Sequence, residues 1–215
     1  MLYDFKDLKV WKEFLIKYKI SNEIEEKLVW YINFLIEENK KYNLTSITNI
    51  SEIIRYHLAD SIEIIKFDLF NKYNKIADIG TGAGIPGLIL AIIYPEKEFY
   101  LIEVTKKKIN FLYQCLEKFE LKNCKIWEED FKTFVRSSNI DIDCFIARAS
   151  LNLNEISYIW NGKSIYKNSE IIYWGSFNWK EDPNNEILKY KININEYKYK
   201  IGHKIRYYIN VKLQK

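Results

Sequence analysis

The sequence is poor in residues that stiffen or bend a backbone: seven glycines, three prolines and three cysteines in 215 residues. No apolar run approaches the ~20 residues a spanning helix needs, which excludes a protein built on such helices. Cys115, Cys124 and Cys144 are odd in number and scattered, outside any CxxC or Cys/His spacing. They predict free thiols in a reducing compartment, with neither a disulfide framework nor a metal site. The stretch Met1 to Asp7 mixes charges and lacks an apolar core. No signal peptide is expected from it, and the expected location is cytoplasmic. Charge of one sign is not in large excess: 33 Lys+Arg face 29 Asp+Glu, net +4. Hydrophobic content of 48% and charged content of 29% exclude a disordered chain. A chain this long hides roughly 70% of its unfolded surface, enough for one domain with an extension.

What is present divides into three stretches. Residues 4 to about 42 read as helical, because Trp11, Phe14, Leu15 and Tyr18, then Leu28, Tyr31, Ile32 and Leu35, recur at steps of three and four. Ser51 is the expected cap of a third helix through His57 to Ile64. From Lys75 short apolar strands alternate with helices. Strands are expected at 76–79, 99–104, 124–127, 143–147 and 170–174, with helices at 88–94, 106–119 and 153–160. That alternation predicts a parallel sheet covered on both faces. At the end, residues 197–201 and 205–211 alternate apolar and polar about Gly202-His203, an antiparallel hairpin.

Four of the seven glycines, Gly80, Gly82, Gly84 and Gly87, fall within eight consecutive residues. The cluster follows a strand and enters a helix, which suits a tight turn approached closely by a ligand. Glu103, at the end of the next strand, is placed to accept hydrogen bonds from ribose hydroxyls. Two ligand classes use this layout: a dinucleotide, with its pyrophosphate at the helix start, and S-adenosyl-L-methionine, with its methionine end there. Asp78 precedes the first glycine by two residues. An acid there disfavours a pyrophosphate and suits a sulfonium and ammonium, so the methyl donor is preferred.

The segment expected to face the methyl group is Ala147-Arg148-Ala149-Ser150. With proline only at 86, 95 and 183, the chain has no Asp/Asn-Pro-Pro-aromatic grip on an exocyclic amine and no Pro-Cys nucleophile. A target that is already nucleophilic, such as guanine N7, fits; catalysis then comes mainly from positioning. Residues 189 to 215 hold eight Lys/Arg and one Glu, so the last segment is net +7 and the rest net −3. Such a segment can neutralise phosphates, or it is a lysine-rich solvated face.

These residues resemble a known family from about Asn39 onward. Asn43-Leu44-Thr45-Ser46, His57-Leu58-Ala59-Asp60-Ser61, Asp78 to Gly87, Lys107 with Phe111-Leu112, Arg148-Ala149 and Arg206 are similar to the bacterial small-subunit rRNA guanine-N7 methyltransferases of the glucose-inhibited-division B (RsmG/GidB) type. The resemblance implies an α/β, Rossmann-like class I S-adenosylmethionine-dependent methyltransferase fold. Its sheet would be mostly parallel with a C-terminal antiparallel hairpin, and residues 1–70 would form a helical extension to a catalytic domain at 71–215. It implies N7 methylation of a guanine in the decoding-region loop of 16S rRNA, with the small ribosomal subunit as partner; separately from the resemblance, no metal and a monomeric protein are expected. Asp78, Gly80, Thr81, Gly82, Gly84, Glu103 and Arg148 would hold the cofactor. Asp130, where the family has Arg, is assigned to the adenine amino group. His57, Arg148 and Arg206 would sit at the target or its phosphates, so that replacing either arginine lowers turnover more than cofactor affinity. Without the resemblance, His57 and Asp60 read as a partly buried histidine with a surface partner. The chain further departs from the family at Ser150, in place of an aromatic, and at Trp174, in place of Lys. Other readings are a methyltransferase acting on a small molecule or protein, and a non-catalytic RNA- or ribosome-binding module.

Overall fold

The computed structural model describes residues 3, 5, 7–161, 164–175, 187 and 190–214. Asp4, from which the helical reading starts, and Lys189 and Lys215, the ends of the basic segment, lie outside the described residues. Helix α1 (Lys9–Tyr18) stops at a left-handed Lys19, and α2 (Asn22–Tyr42) starts at Ser21, whose hydroxyl accepts the Ile24 N–H. Trp11, Phe14, Leu28, Tyr31, Ile32 and Leu35 are all buried, as the three-and-four spacing requires.

The third helix is irregular. Helix α3 (Ile50–Ile53) runs into a π-helical stretch, Ile54–Ala59, then α4 (Asp60–Ile62) and a 3-10 turn, Glu63–Phe67. Its cap is Asn49 and not Ser51. Asn49 has an extended backbone (φ −75, ψ 128) and its Oδ1 accepts the Glu52 N–H at 3.2 Å. Ser51 is already helical, and a residue inside the first turn does not satisfy the free N–H groups ahead of it.

Five parallel strands follow: β1 (Lys75–Ile79), β2 (Glu98–Ile102), β3 (Cys124–Trp127), β4 (Cys144–Arg148) and β5 (Glu170–Gly175). The hairpin β6 (Ile192–Ile201) and β7 (Lys204–Leu213) is antiparallel, giving the order β3-β2-β1-β4-β5-β7-β6. The connecting helices are α5 (Gly87–Ile93), α6 (Lys106–Phe119), α7 (Phe131–Ser137) and α8 (Leu153–Ile156). Each expected strand is present, α7 is additional, and the last expected helix is α8 continued as a 3-10 turn, Ser157–Trp160.

Alternation along the strands feeds two cores. Ile76, Leu101, Cys144 and Ile146 face one that also contains α5, α6 and the N-terminal helices. Ala77, Ile79, Ile102, Phe145 and Ala147 face the other, under α7 and α8. The extension therefore shares its core with one face of the sheet. Tyr31 of α2 also donates its hydroxyl to the Ala83 carbonyl at 2.8 Å, which fastens α2 to the glycine loop. Cys115, Cys124 and Cys144 are buried free thiols, and no described helix is long and apolar enough to cross a membrane.

Candidate active site

Beyond β1 the chain turns through Gly80, Gly82 and Gly84, all left-handed (φ 62, 61 and 85). The three glycines serve different needs. A Cβ on Gly80 would lie 2.6 Å from the Ser150 Cβ, and one on Gly84 2.5 Å from the Leu88 Cβ. A Cβ on Gly82 would meet nothing nearer than the Gly80 carbonyl oxygen at 3.9 Å. The first and third glycines permit close packing, while Gly82 borders open space.

Beside the bend lies a cleft of about 520 Å³ across the C-terminal ends of β1, β2 and β4, lined by Gly80 but not by Gly82 or Gly84. Its volume suits a ligand of nucleoside size. Ile79, Ile102, Val104, Phe131 and Leu151 supply apolar walls. Glu103, Glu129, Asp130 and Glu155 outnumber Lys108 and Lys132 among its charged residues. A pyrophosphate would face an excess of carboxylates, whereas a flat heteroaromatic ring with a cationic end fits both the walls and the charge. The residues present thus fit S-adenosylmethionine. Ser150 and Ala149 close one side, and Ala149 itself is left-handed (φ 53). That conformation is uncommon without glycine and recurs at functional sites.

Glu103 lines the cleft at 6% exposure. Its Oε2 accepts the Gly82 N–H at 3.0 Å, and its Oε1 accepts the Val104 and Thr105 N–H groups at 3.0 and 2.8 Å. The carboxylate clips the glycine bend to the end of β2, and Oε2 keeps lone-pair capacity toward the cleft. Asp130 also lines the cleft. Its two oxygens cap α7, accepting the Thr133 N–H at 2.9 Å and the Thr133 hydroxyl at 2.7 Å, and these bonds hold its pKa below the usual carboxylate range.

Asp78 lies beneath the glycine loop rather than among the cleft-lining residues. It is fully buried, and its Oδ2 accepts the Thr81 hydroxyl at 2.6 Å and the Gly87 N–H at 2.8 Å. Thr81, itself buried, is thus committed to Asp78. Gly87 leaves room for the carboxylate, since a Cβ there would lie 2.6 Å from Oδ2. Oδ1 has no partner among the described residues. Burial raises the Asp78 pKa to about 7, against the lowering effect of Thr81 and Gly87. A carboxyl group with a raised folded-state pKa stabilises the fold below its unfolded value, and this contribution is lost as pH rises through 7. Relative to wild type, Asp78→Asn is therefore expected to gain stability steadily between about pH 4 and pH 7. Urea unfolding of both proteins across that range measures the difference, and parallel curves would contradict the assignment.

His57, Arg148 and Asp60 come together behind the cleft, on the face of the sheet covered by the extension. The Arg148 side chain leaves β4 and its Nη2 donates to the Tyr56 carbonyl at 2.6 Å and to His57 Nδ1 at 3.2 Å. Its Nη1 faces Asp60 Oδ2 at 3.1 Å. Asp60 is not a surface partner of His57. It is 2% exposed, its Oδ1 accepts the Tyr199 hydroxyl at 2.9 Å, and its carbonyl accepts Trp174 Nε1–H at 3.1 Å and the Tyr208 hydroxyl at 3.0 Å. The π-helical stretch turns Asp60 inward, a displacement that ideal helical spacing does not anticipate. Burial and the nearby Arg148 depress the His57 pKa to about 3, so the imidazole is neutral.

Arg206 stands apart from the cleft, on β7 opposite Tyr199, with its Nε buried and unpartnered among the described residues. The hairpin tip docks on the π-helical stretch: Tyr56 Oη lies 3.2 Å from His203 Nδ1, and Lys204 Nζ sits 4.3 Å from the centre of the Tyr56 ring. Sequence reasoning missed Asp60, Tyr199 and Tyr208 as supports. Only the alternation of Tyr199 hinted at one of them; the alternation of the last strand put Tyr208 on the polar face with Arg206 and Asn210, yet it is fully buried.

Known proteins of similar fold include Mycoplasma capricolum TrmK bound to S-adenosyl-homocysteine (TM-score 0.55, 19% identity, 69% of this chain and 66% of that one). Another is a precorrin-6y C5,15-methyltransferase from Geobacter metallireducens (TM-score 0.53, 14% identity, 71% and 88%). Both support a class I S-adenosylmethionine-dependent methyltransferase fold. In sequence, the chain is 46% identical over 110 residues to ribosomal RNA small subunit methyltransferase G of Mycoplasma mycoides, covering 51% of this chain and 79% of that protein. It is 41% identical over 150 residues to the Mycoplasma capricolum protein of the same name, covering 68% and 63%, and its match to the Mesoplasma florum protein, at 40% identity, covers 63% and 57%. For the latter two, the matched stretch is less than two thirds of the relative's length. The model of the GidB family, rRNA small subunit methyltransferase G, matches residues 24–201, from the second helix of the extension to the end of β6. With the glycine bend, the acidic cleft and the Arg148 cluster all inside that stretch, the chain belongs to the rRNA small subunit methyltransferase G family.

Proposed function

We propose that this protein transfers a methyl group from S-adenosylmethionine to N7 of a guanine in the decoding-region loop of 16S rRNA. In this reading it acts as a cytoplasmic monomer on the small ribosomal subunit, with residues 71–215 forming the catalytic domain and 1–70 its extension. The observation that carries the reading is the family match over residues 24–201, which spans the whole cleft. The bound cofactor supplies a methyl group activated on sulfur. The chain's own residues bind and orient. Gly80 lines the cleft at the bend, and Ile102, Val104 and Phe131 offer a dry surface for a flat ring. Glu103 presents Oε2 toward hydroxyls, and the loop Ala149–Ser150 bounds the side from which a base would approach. Guanine N7 carries a free lone pair and loses no proton, so no general base is required. That agrees with a neutral His57 whose two ring nitrogens are both occupied. Rate enhancement then comes from alignment of nitrogen, carbon and sulfur.

The test is incubation of the protein with radiolabelled S-adenosylmethionine and small subunits from cells lacking the modification, followed by mapping of the label. Incorporation at N7 of one guanine in 16S rRNA is expected. Label in a protein or metabolite instead, or rRNA binding with no transfer, would replace this reading with one of its alternatives.

A further inference from the structure

Thr45 lies in the loop between α2 and α3, and no role in the reaction follows from the cleft alone. Its surroundings are tightly specified. Asn39 of α2 holds the Thr45 backbone from both sides, its Oδ1 accepting the Thr45 N–H at 2.8 Å and its Nδ2 donating to the Thr45 carbonyl at 2.9 Å. The Thr45 hydroxyl oxygen accepts the Ile47 N–H at 3.1 Å and lies 2.8 Å from His57 Nε2. His57 is 5% exposed, and its other ring nitrogen meets the Arg148 guanidinium.

Donor and acceptor accounting fixes the tautomer. A guanidinium has no lone pair, so Arg148 only donates and His57 Nδ1 must be the bare nitrogen. A neutral imidazole with Nδ1 bare carries its proton on Nε2. Nε2–H therefore donates to the Thr45 hydroxyl oxygen. A fixed line runs from α2 through Asn39, Thr45 and His57 to Arg148, whose next residues, Ala149 and Ser150, line the cleft.

We propose that Thr45 is a positioning residue for methyl transfer: by accepting the His57 Nε2 proton it orients the imidazole that holds Arg148, and so sets the place of the Ala149–Ser150 wall. The kinetic part rests on the methyl-transfer reading above; the tautomer does not. Gly80 packs against Ser150, but Glu103 is bonded to Gly82, Val104 and Thr105 and to no member of this line, so turnover is expected to change more than cofactor affinity.

The chain has two histidines, which makes the first measurement direct. In the ¹⁵N-labelled wild type at pH 7, with His203→Gln to assign the signals, His57 is expected to show a protonated Nε2 and a bare Nδ1. The opposite tautomer, or an imidazolium, would overturn the proposal. In Thr45→Val the Nε2 resonance should move. Methyl transfer to small subunits should fall by about 10- to 100-fold in kcat, with a smaller change in S-adenosylmethionine affinity and Thr45→Ser restoring both the rate and the resonance. Unchanged kcat and an unchanged His57 spectrum in Thr45→Val would also overturn it. If no methyl transfer is found with wild type, the function assigned above fails while the spectra still decide the tautomer. If Thr45→Val does not fold, the wild-type spectra and the Thr45→Ser kinetics carry the test.

Discussion

Arg148→Ala is expected to lose about 3–5 kcal/mol of stability, because it strips the counter-charge from a carboxylate sealed inside the protein. Asp60 is 2% exposed, and the Arg148 side chain is 16% exposed. Solvent therefore does little to replace the lost charge. Two further acceptors, the Tyr56 carbonyl and His57 Nδ1, lose their donor at the same time. The double variant Asp60→Asn/Arg148→Ala should recover part of the loss, since its neutral amide can stay buried at lower cost. Urea unfolding of the wild type, the two single variants and the double variant measures the coupling. A loss below about 1 kcal/mol for Arg148→Ala would mean that the pair behaves like an exposed ion pair and that the cluster is wetter than its burial indicates. This outcome also separates the two arginines. Both arginines have a buried nitrogen without a hydrogen bond among the described residues, Nη1 of Arg148 and Nε of Arg206. Arg148, however, is held by Asp60, His57 and the Tyr56 carbonyl, which leaves Arg206 on the basic hairpin as the better candidate for contact with phosphate.

The largest effect on binding is expected from Gly82→Arg. Gly82 does not itself line the cleft, but its N–H is bonded to Glu103, which does, and the nearest neighbour of a Cβ there is 3.9 Å away, so a long side chain has room to reach the cleft without striking packed atoms. The variant should fold, at a cost of roughly 1–2 kcal/mol for a left-handed non-glycine residue. S-adenosylmethionine should bind at least about 100-fold more weakly, equivalent to roughly 2.8 kcal/mol. Gly84→Ala is the contrast. Its Cβ would collide with Leu88 at 2.5 Å, so stability is expected to fall before the cleft itself is altered. Equilibrium binding of the labelled cofactor, read beside unfolding curves, distinguishes the two. Retained binding in a folded Gly82→Arg protein would place the cofactor elsewhere.

The strands were legible because each is a short apolar run between turn residues, and helix α6 begins at Lys106 and ends at Phe119 as its periodicity predicts. Helix α7 was not, because its apolar residues Phe131, Phe134 and Val135 occupy barely two turns. The cap at Asn49 was misplaced to Ser51 because both are good capping residues and only the backbone angle separates them. At the site, the glycine bend and Glu103 were readable as local spacing. The Asp60 cluster was not, since it joins residues from the third helix, β4, β5 and the last hairpin, and nothing in local sequence pairs Asp60 with Arg148 or Tyr199. Asp78 was identified as important, but its partners turned out to be Thr81 and Gly87. Period-two alternation puts it on the face of Ile76, turned toward α5, and only the three-dimensional register reveals that the loop closes over it.

Strand β7 is synthesised after β5 and β6 yet lies between them. As the polypeptide emerges from the ribosome, β5 must wait with one hydrogen-bonding edge bare until the last strand arrives. Tyr208, which rides on that strand, reaches the Asp60 carbonyl only then. The interval between the appearance of β5 and the insertion of β7 is thus one in which an unpaired strand edge is open to a neighbouring chain.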